Sequence, residues 1–129
     1  MASHAFNAFG TAAVPTGLTA SYVGGDTLKV DSTNQLTAYF TIAGFDATSI
    51  EWKFQLSDDL GTTWFDELTE EVSAGAVTQL VAVRSLPAAN GTYVAYLPIP
   101  AVAHVRFAMK RTGGTAATTV HCSVTIGMI

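Results

Sequence analysis

Three stretches of the chain alternate strictly between apolar and polar residues, and this pattern constrains the fold more than any other feature. The stretches are residues 36–42, 50–56 and 120–126. A period of two places every second side chain on the same face of a β-strand, so each stretch predicts a strand with one face in a core. The other face meets solvent or a partner. Further strands are expected near 18–23, 27–30, 63–68, 77–83, 92–97 and 105–110.

Sequences that favour turns separate these stretches, among them Gly24-Gly25-Asp26, Asn90-Gly91 and Gly113-Gly114. Only residues 66–76 are compatible with a helical turn or two. Many short strands at this spacing indicate an all-β protein, a single antiparallel β-sandwich or jelly-roll-like domain. The sequence contains no repeat and no linker. The sandwich domain is therefore expected to span residues 18–129.

Residues 1–17 show no clear period and contain Pro15 and Gly17. Two interpretations remain open for them. They form either a frayed terminus or an extended arm that docks Phe6 and Phe9 on a neighbouring subunit. The first residues lack Lys, Arg and a continuous apolar core, so a secretory signal is not expected.

Charged residues make up only 12% of the chain, where about 25% is usual. A soluble monomer normally carries more charge, so the low value suggests a subunit with much of its surface covered. The net charge of −4 argues against a nucleic-acid partner bound through a broad basic surface. No run of about 18 apolar residues is present, so a membrane-spanning segment is not expected.

The few charges are sorted along the sequence. Residues 58–71 hold six of the ten acidic residues and no basic one, whereas residues 72–129 hold no acidic residue. The basic residues of this last part are Arg84, Arg106, Lys110 and Arg111. The acidic hairpin either neutralises the basic strands within one fold, or it contacts the basic edge of the next subunit or of a capsid shell. In the second case the four basic residues are interface residues.

Metal, cofactor and catalytic sites are not expected. Calcium bound by Asp58, Asp59 and Asp66 is conceivable, but no EF-hand spacing supports it. The single cysteine, Cys122, alternates with valines and is predicted to be a core residue. If the last two strands pair as a hairpin, the histidines at 104 and 121 lie too far apart to share a zinc ion. The sequence contains no nucleophile elbow, phosphate loop or zinc-protease motif.

One local motif is specific. Residues 57–64 match the pattern Ser-x-Asp-x-Gly-x-Thr-Trp. In such a turn the Asp accepts hydrogen bonds from backbone amides, the Gly supplies a positive φ, and the Trp covers one side. The stretch resembles the Asp-box of sialidases and of many β-rich extracellular and phage proteins. The motif positions are Ser57, Asp59, Gly61, Thr63 and Trp64.

The Asp-box resemblance implies a structural hairpin rather than a catalytic site. Sialidase propellers repeat the box in much longer chains, and they need an arginine cluster to bind the substrate carboxylate. Here the box occurs once and the chain has three arginines. A sialidase is therefore not expected.

Several features together resemble small β-sandwich virion proteins of tailed phages: few lysines, strands rich in Thr, Ala and Gly, and the hairpin at 57–64. Residues 97–114 are similar to the final strands of such domains. The resemblance implies a non-enzymatic capsid decoration (cement) protein, or another accessory head or tail subunit, in the virion. It also implies a homo-oligomer, with a trimer as the guess, that contacts the major capsid protein.

The alternative from another class is a carbohydrate-binding β-sandwich module or a host-adhesion protein. Aromatic side chains such as Trp64 and Tyr96 would then stack on sugars, although Trp64 is expected to pack on its own hairpin. Two strand faces, 37/39/41 and 121/123/125, are polar but uncharged. Such faces suit a surface that becomes covered, because no charge has to be dehydrated.

Overall fold

The computed structural model describes residues 3–30, 35–57, 62–98 and 104–127. These residues form β-strands, turns and loops, as the alternating pattern predicts. The strands are β1 (Ser3–Phe9), β2 (Thr16–Gly17), β3 (Val23–Gly24), β4 (Leu28–Lys29), β5 (Gln35–Ala43), β6 (Ser49–Ser57), β7 (Phe65–Asp66), β8 (Leu68–Ser73), β9 (Ala76–Val81), β10 (Arg84–Leu86), β11 (Gly91–Pro98), β12 (His104–Thr112) and β13 (Thr119–Gly127).

The strands build two sheets that pack together, and the predicted antiparallel β-sandwich is confirmed. Sheet A has the order β1-β13-β5-β11, and β2 also pairs with β13. Sheet B has the order β10-β6-β12-β3, with β4 on β12 and β7 on β6. Within the described parts of the chain, strands β8 and β9 pair only with each other, as a separate ribbon. Every one of these pairings is antiparallel.

The apolar positions of the three alternating stretches form the core. Phe40 of sheet A lies over sheet B, with ring centroids 5.0 Å from Trp52 and 5.7 Å from Phe107. Tilted and edge-on contacts of this kind add about 0.5–1.5 kcal/mol per pair to the burial itself. Cys122 is fully buried between the sheets, as predicted, and burial raises the pKa of its thiol to about 12.

The predicted hairpin between the last two strands is wrong. β12 lies in sheet B between β6 and β3, whereas β13 lies in sheet A between β1 and β5. Their connection crosses from one sheet to the other through Gly113 and Gly114, which both have positive φ. The alternating pattern specifies which face of a strand is buried, but it does not specify the neighbouring strand.

The N-terminal segment belongs to the sandwich. Residues 3–9 form β1 and pair with β13, and a bulge shifts the register between Asn7 and Phe9. Phe9 is 1% exposed and lies in the core, whereas Phe6 is 45% exposed at the sheet edge. The expected arm is therefore an edge strand of its own subunit. The bulge places both Ala8 and Phe9 in the core, which hides the period of two in the sequence.

A helical turn was considered for residues 66–76, but the structure has none there. Asp66 ends β7, and residues 68–76 belong to a two-stranded ribbon formed by β8 and β9. Ala74 and Gly75 connect the strands with φ values of 52° and 79°. Two consecutive positive φ angles are typical of the type I′ turn, whose twist matches that of a hairpin. Every residue of β8 and β9 is exposed.

Candidate interaction surface

Among the side chains that the structure describes, none on the outer face of sheet A is charged. The central part of this face consists of rows of cross-strand neighbours on β11, β5 and β13. Asn7 of β1 lies beside Ser123 and extends one of these rows. We call this surface the charge-free face. It consists of Asn7, Thr37, Tyr39, Thr41, Thr92, Val94, Tyr96, His121, Ser123 and Thr125.

Large side chains stand out on the charge-free face. Tyr96 is 80% exposed, Val94 is 48% exposed and Tyr39 is 40% exposed. Val94 lies directly opposite Tyr39, and Tyr96 lies opposite Thr37 on the next rung. These three residues form an apolar and aromatic patch within a hydroxyl-rich surface, the composition found at the centre of many protein interfaces.

Polar groups on the charge-free face bond to each other across strands. Nε2 of His121 lies 3.1 Å from Oδ1 of Asn7, and the hydroxyls of Thr41 and Thr92 are 3.3 Å apart. Polar groups that already have partners lose less when water is removed. The face therefore combines exposed apolar area with a low cost of dehydration.

The outer face of sheet B, in contrast, carries charged side chains. The carboxylate of Asp66 accepts hydrogen bonds from Gln55 at 3.0 Å and from Lys53 at 2.9 Å. These two donors hold the pKa of Asp66 below its usual value, the Gln55 bond contributing most. Arg106 donates to Oε1 of Gln55 at 2.7 Å and lies over the ring of Trp64 at 4.5 Å. We call this network the charged face.

A tyrosine completes the charged face. The ammonium groups of Lys53 and Lys110 lie 4.2 Å and 5.1 Å from the ring centre of Tyr22. Lys110 also approaches Glu51 at 3.7 Å. Partial burial and the nearby carboxylate of Glu51 raise the pKa of Tyr22. Charges and aromatic rings on this face are paired inside one chain.

The predicted basic interface residues are all engaged within their own subunit. Arg84 contacts Glu67 at 2.8 Å and lies 5.2 Å from the Trp52 ring. Arg111 donates hydrogen bonds to the carbonyl oxygens of Leu18, Gly113 and Gly114. Arg106 and Lys110 belong to the charged face. Of these four residues, only Arg84 is paired with a carboxylate of the acidic segment. Lys110 approaches Glu51, which lies outside that segment, and Arg106 and Arg111 bond to amide and carbonyl oxygens.

The motif at 57–64 is only partly within the described residues. β6 ends at the buried Ser57, and β7 begins at Phe65 and pairs back onto β6. Thr63 is exposed, and Trp64 is half-buried beneath Arg106, so it is not an open platform for a sugar. Asp58, Asp59 and Gly61 lie outside the described residues, so the Asp-box turn stays a prediction.

The calcium alternative also involves these residues. Of its three carboxylates, only that of Asp66 is described, and it is bonded to Gln55 and Lys53. Among the described residues, no group of three or more His, Cys, Asp or Glu is placed to hold a metal ion.

A cleft of about 570 Å³ opens between the sheets where their edge strands β10 and β11 lie side by side. Phe40, Trp52, Leu86, Tyr93 and Ala95 contribute to its lining. Among the described residues of the lining, Arg84 is the one with a charge, and it is paired with Glu67. The hydroxyl of Tyr93 donates to the carbonyl oxygen of Ala89 at 3.0 Å. The cleft is thus a largely apolar notch beside strand β11.

The β8–β9 ribbon is amphipathic. Cross-strand pairing places Leu68 opposite Val81 and Val72 opposite Val77 on one face, with the hydrogen-bonded pair Glu70 and Gln79 between them. The other face is mostly polar. An isolated two-stranded ribbon is at best marginally stable in water, so an exposed apolar face of this kind suits a contact with another molecule.

The sequence indicated two of the three strands that contribute most of the charge-free face, β5 and β13, but not the third, β11. The uncharged alternation at 37/39/41 and 121/123/125 was visible, and the structure places these residues on adjacent strands. The contribution of β11 was missed, although Thr92, Val94 and Tyr96 also alternate and carry no charge. Only the register shows that all three strands share one surface.

Comparison with known proteins identifies the fold. No protein-family model matches the chain, and no curated protein matches it. The crystal structure of the SPBc2 prophage-derived protein YomS is similar, with a TM-score of 0.55, 17% identity, and coverage of 97% of this chain and 92% of that one. The K3 cleaved adhesin domain of Lys-gingipain from Porphyromonas gingivalis aligns with a TM-score of 0.45, 16% identity and coverage of 97% and 72%. The likeness to YomS shows a shared fold. Among the described residues, no helix has the length and hydropathy needed to cross a membrane.

Proposed function

We propose that this protein is a non-enzymatic structural subunit of a tailed-phage particle, a capsid decoration (cement) protein that acts by adhesion. Its partners are copies of itself and the major capsid protein. The observation that carries the proposal is the charge-free face, in which three adjacent strands present no charged side chain. On the charged face of sheet B, by contrast, Lys53 and Lys110 form ion pairs within the chain, and Arg106 bonds to Gln55 and lies over the Trp64 ring.

The physical argument concerns the cost of covering a surface. Burying an unpaired charge costs several kcal/mol, whereas hydroxyl groups and apolar side chains can be covered cheaply. Exposed aromatic residues such as Tyr39 and Tyr96 are the kind of side chain that supplies most of the binding energy in interfaces. The charge-free face is therefore suited to a permanent contact.

Two further observations support the proposal. The ribbon offers a second apolar surface, formed by Leu68, Val72, Val77 and Val81, that extends from the sandwich. The structural neighbour YomS is described as prophage-derived, which agrees with the resemblance to phage virion proteins in the sequence.

A charge placed in the centre of the charge-free face tests the proposal. Tyr39→Lys adds a cation that a covered surface would have to dehydrate, so we expect at least a tenfold loss of uptake into particles of the phage that carries the gene. Ala20→Lys is the matched control, because Ala20 is exposed in a loop outside this face. Uptake is measured by quantifying the protein in particles assembled without the wild-type chain.

Folding is checked for both variants by circular dichroism and thermal melting. Tyr39→Thr removes the aromatic ring without adding a charge and should give an intermediate loss of uptake. Equal uptake of Tyr39→Lys and Ala20→Lys would contradict the proposed role of the face.

A further inference from the structure

We propose that strand β11 pairs with the same strand of a second copy across a two-fold axis, so that sheet A continues from one subunit into the other. The pairing deepens the proposed function, because it names a partner for the edge of the charge-free face. It can be tested on the isolated protein, without a phage particle.

The sheet edges in the described residues differ in how well they are protected. β10 has three residues, and β3 and β4 have two residues each. β1 is longer, but a bulge interrupts its register. Short strands, bulges and charged residues are the usual ways in which proteins prevent edge strands from pairing with other chains.

β11 has none of these protections over most of its length. It spans eight residues, pairs with β5 in unbroken register, and contains no charged residue. Its proline, Pro98, is the last residue of the strand. Since an antiparallel strand directs alternate N–H and C=O groups to each side, one set of backbone groups on β11 points away from β5. Among the described strands, β5 is the only one that pairs with it.

The sequence of β11 is complementary to itself. With the axis at Val94, that residue opposes the partner's Val94 on the outer face, and Thr92 opposes the partner's Tyr96. On the inner face, Tyr93 opposes the partner's Ala95. Large side chains thus meet small ones on both faces, and no like charges meet.

Neighbouring two-fold registers that keep the faces matched are poorer. An axis at Tyr93 places that ring against the partner's Tyr93, and it leaves Tyr96 opposite a turn residue. An axis at Ala95 places Tyr93 against the partner's Leu97. The register centred on Val94 is therefore the one that we propose.

The pairing also accounts for the surroundings of the strand. It joins the charge-free faces of two subunits into one continuous surface, and it gives the 80% exposed Tyr96 a second cross-strand neighbour, on the side away from Thr37. The cleft beside β11 would lie near the partner's inward-facing Tyr93. Because Arg84 in this cleft is paired with Glu67, the junction does not enclose an unpaired charge.

Cysteine cross-linking tests the register. In an antiparallel pair, directly opposed Cβ atoms lie about 4.5–5.5 Å apart, which is close enough for a disulfide with small adjustment. Val94→Cys should therefore form a dimer under mild oxidation. Thr92→Cys is the matched control, because its partner copy is four residues away along the strand, roughly 13 Å at 3.3 Å per residue. The native Cys122 is fully buried and should not react.

Solution mass tests the pairing itself. We expect the wild-type protein to have twice the 13.5 kDa mass of the chain in analytical ultracentrifugation. Val94→Lys places two ammonium groups opposite each other and should weaken the dimer at least tenfold. Tyr39→Lys should leave the dimer intact, because the two copies of this residue lie three strand spacings apart, roughly 14 Å, which exceeds the screening length in physiological salt.

Several results would overturn the pairing: a monomeric or trimeric mass over a range of concentrations, unchanged dimerisation of Val94→Lys, or equal cross-linking of Thr92→Cys and Val94→Cys. If Val94→Lys does not fold, the cross-linking comparison decides. A dimer that particles do not take up contradicts the proposed function and leaves the pairing supported. A monomer that particles do take up contradicts the pairing alone.

Discussion

Single residues determine how the chain crosses between the sheets. Gly114 has a φ of 68°, and a Cβ atom at this position would overlap the carbonyl oxygen of Asp46. That same oxygen accepts a hydrogen bond from the N–H of Thr115 at 2.9 Å, and the N–H of Asp46 donates to the Thr118 hydroxyl at 2.7 Å. The crossing from β12 to β13 is thus fixed by close backbone contact at a glycine.

Gly114→Ala should destabilise the fold by about 2–4 kcal/mol, because the strain of a positive φ adds to the overlap with Asp46. Gly75→Ala is the matched control. It has a φ of 79° but nothing within 4 Å of the added Cβ, so only the strain of about 1 kcal/mol remains. The free energy of unfolding from urea titration measures both. Equal losses would contradict the close contact at Gly114.

At the scale of elements, the sequence predicts where the strands lie better than it predicts which strands pair with each other. The alternation at 36–42, 50–56 and 120–126 correctly identified β5, β6 and β13, because burial of one face imposes a period of two. Pairing depends on contacts between distant residues, so the predicted hairpin of β12 and β13 was wrong. The strand expected near 77–83 corresponds to β9, but its partner β8 was missed, because every residue of β8 is exposed and no core imposes a period of two on it.

Whether the N-terminal strand β1 is part of the sandwich can be tested by its contribution to stability. Phe9→Ala should cost about 3–5 kcal/mol, because it empties a core position that is 1% exposed. Phe6→Ala, three residues earlier on the same strand, should cost clearly less, about 1 kcal/mol, because its ring is 45% exposed. Thermal melting or urea titration of the two variants measures the difference. A negligible effect of Phe9→Ala would show that the segment is an undocked arm after all.

At the scale of the whole molecule, charge is divided between the two sheets. The outer face of sheet B carries ion pairs, whereas no described side chain on the outer face of sheet A is charged. The sequence predicted that the few charges are sorted and that some strand faces are uncharged. It could not show that those faces are adjacent, because adjacency follows from the register of β11, β5 and β13. Uncharged residues of three strands are therefore gathered on one surface, and this surface is suited to adhesion.

The most direct test of this account is electron cryo-microscopy of particles from the phage or prophage whose genome carries the gene. We predict density for the β-sandwich on the particle, with the charge-free face of sheet A covered by a neighbouring copy or by the shell. The charged face of sheet B should be turned to solvent. Particles that lack the protein, or that present Tyr39, Val94 and Tyr96 to solvent, would contradict the account.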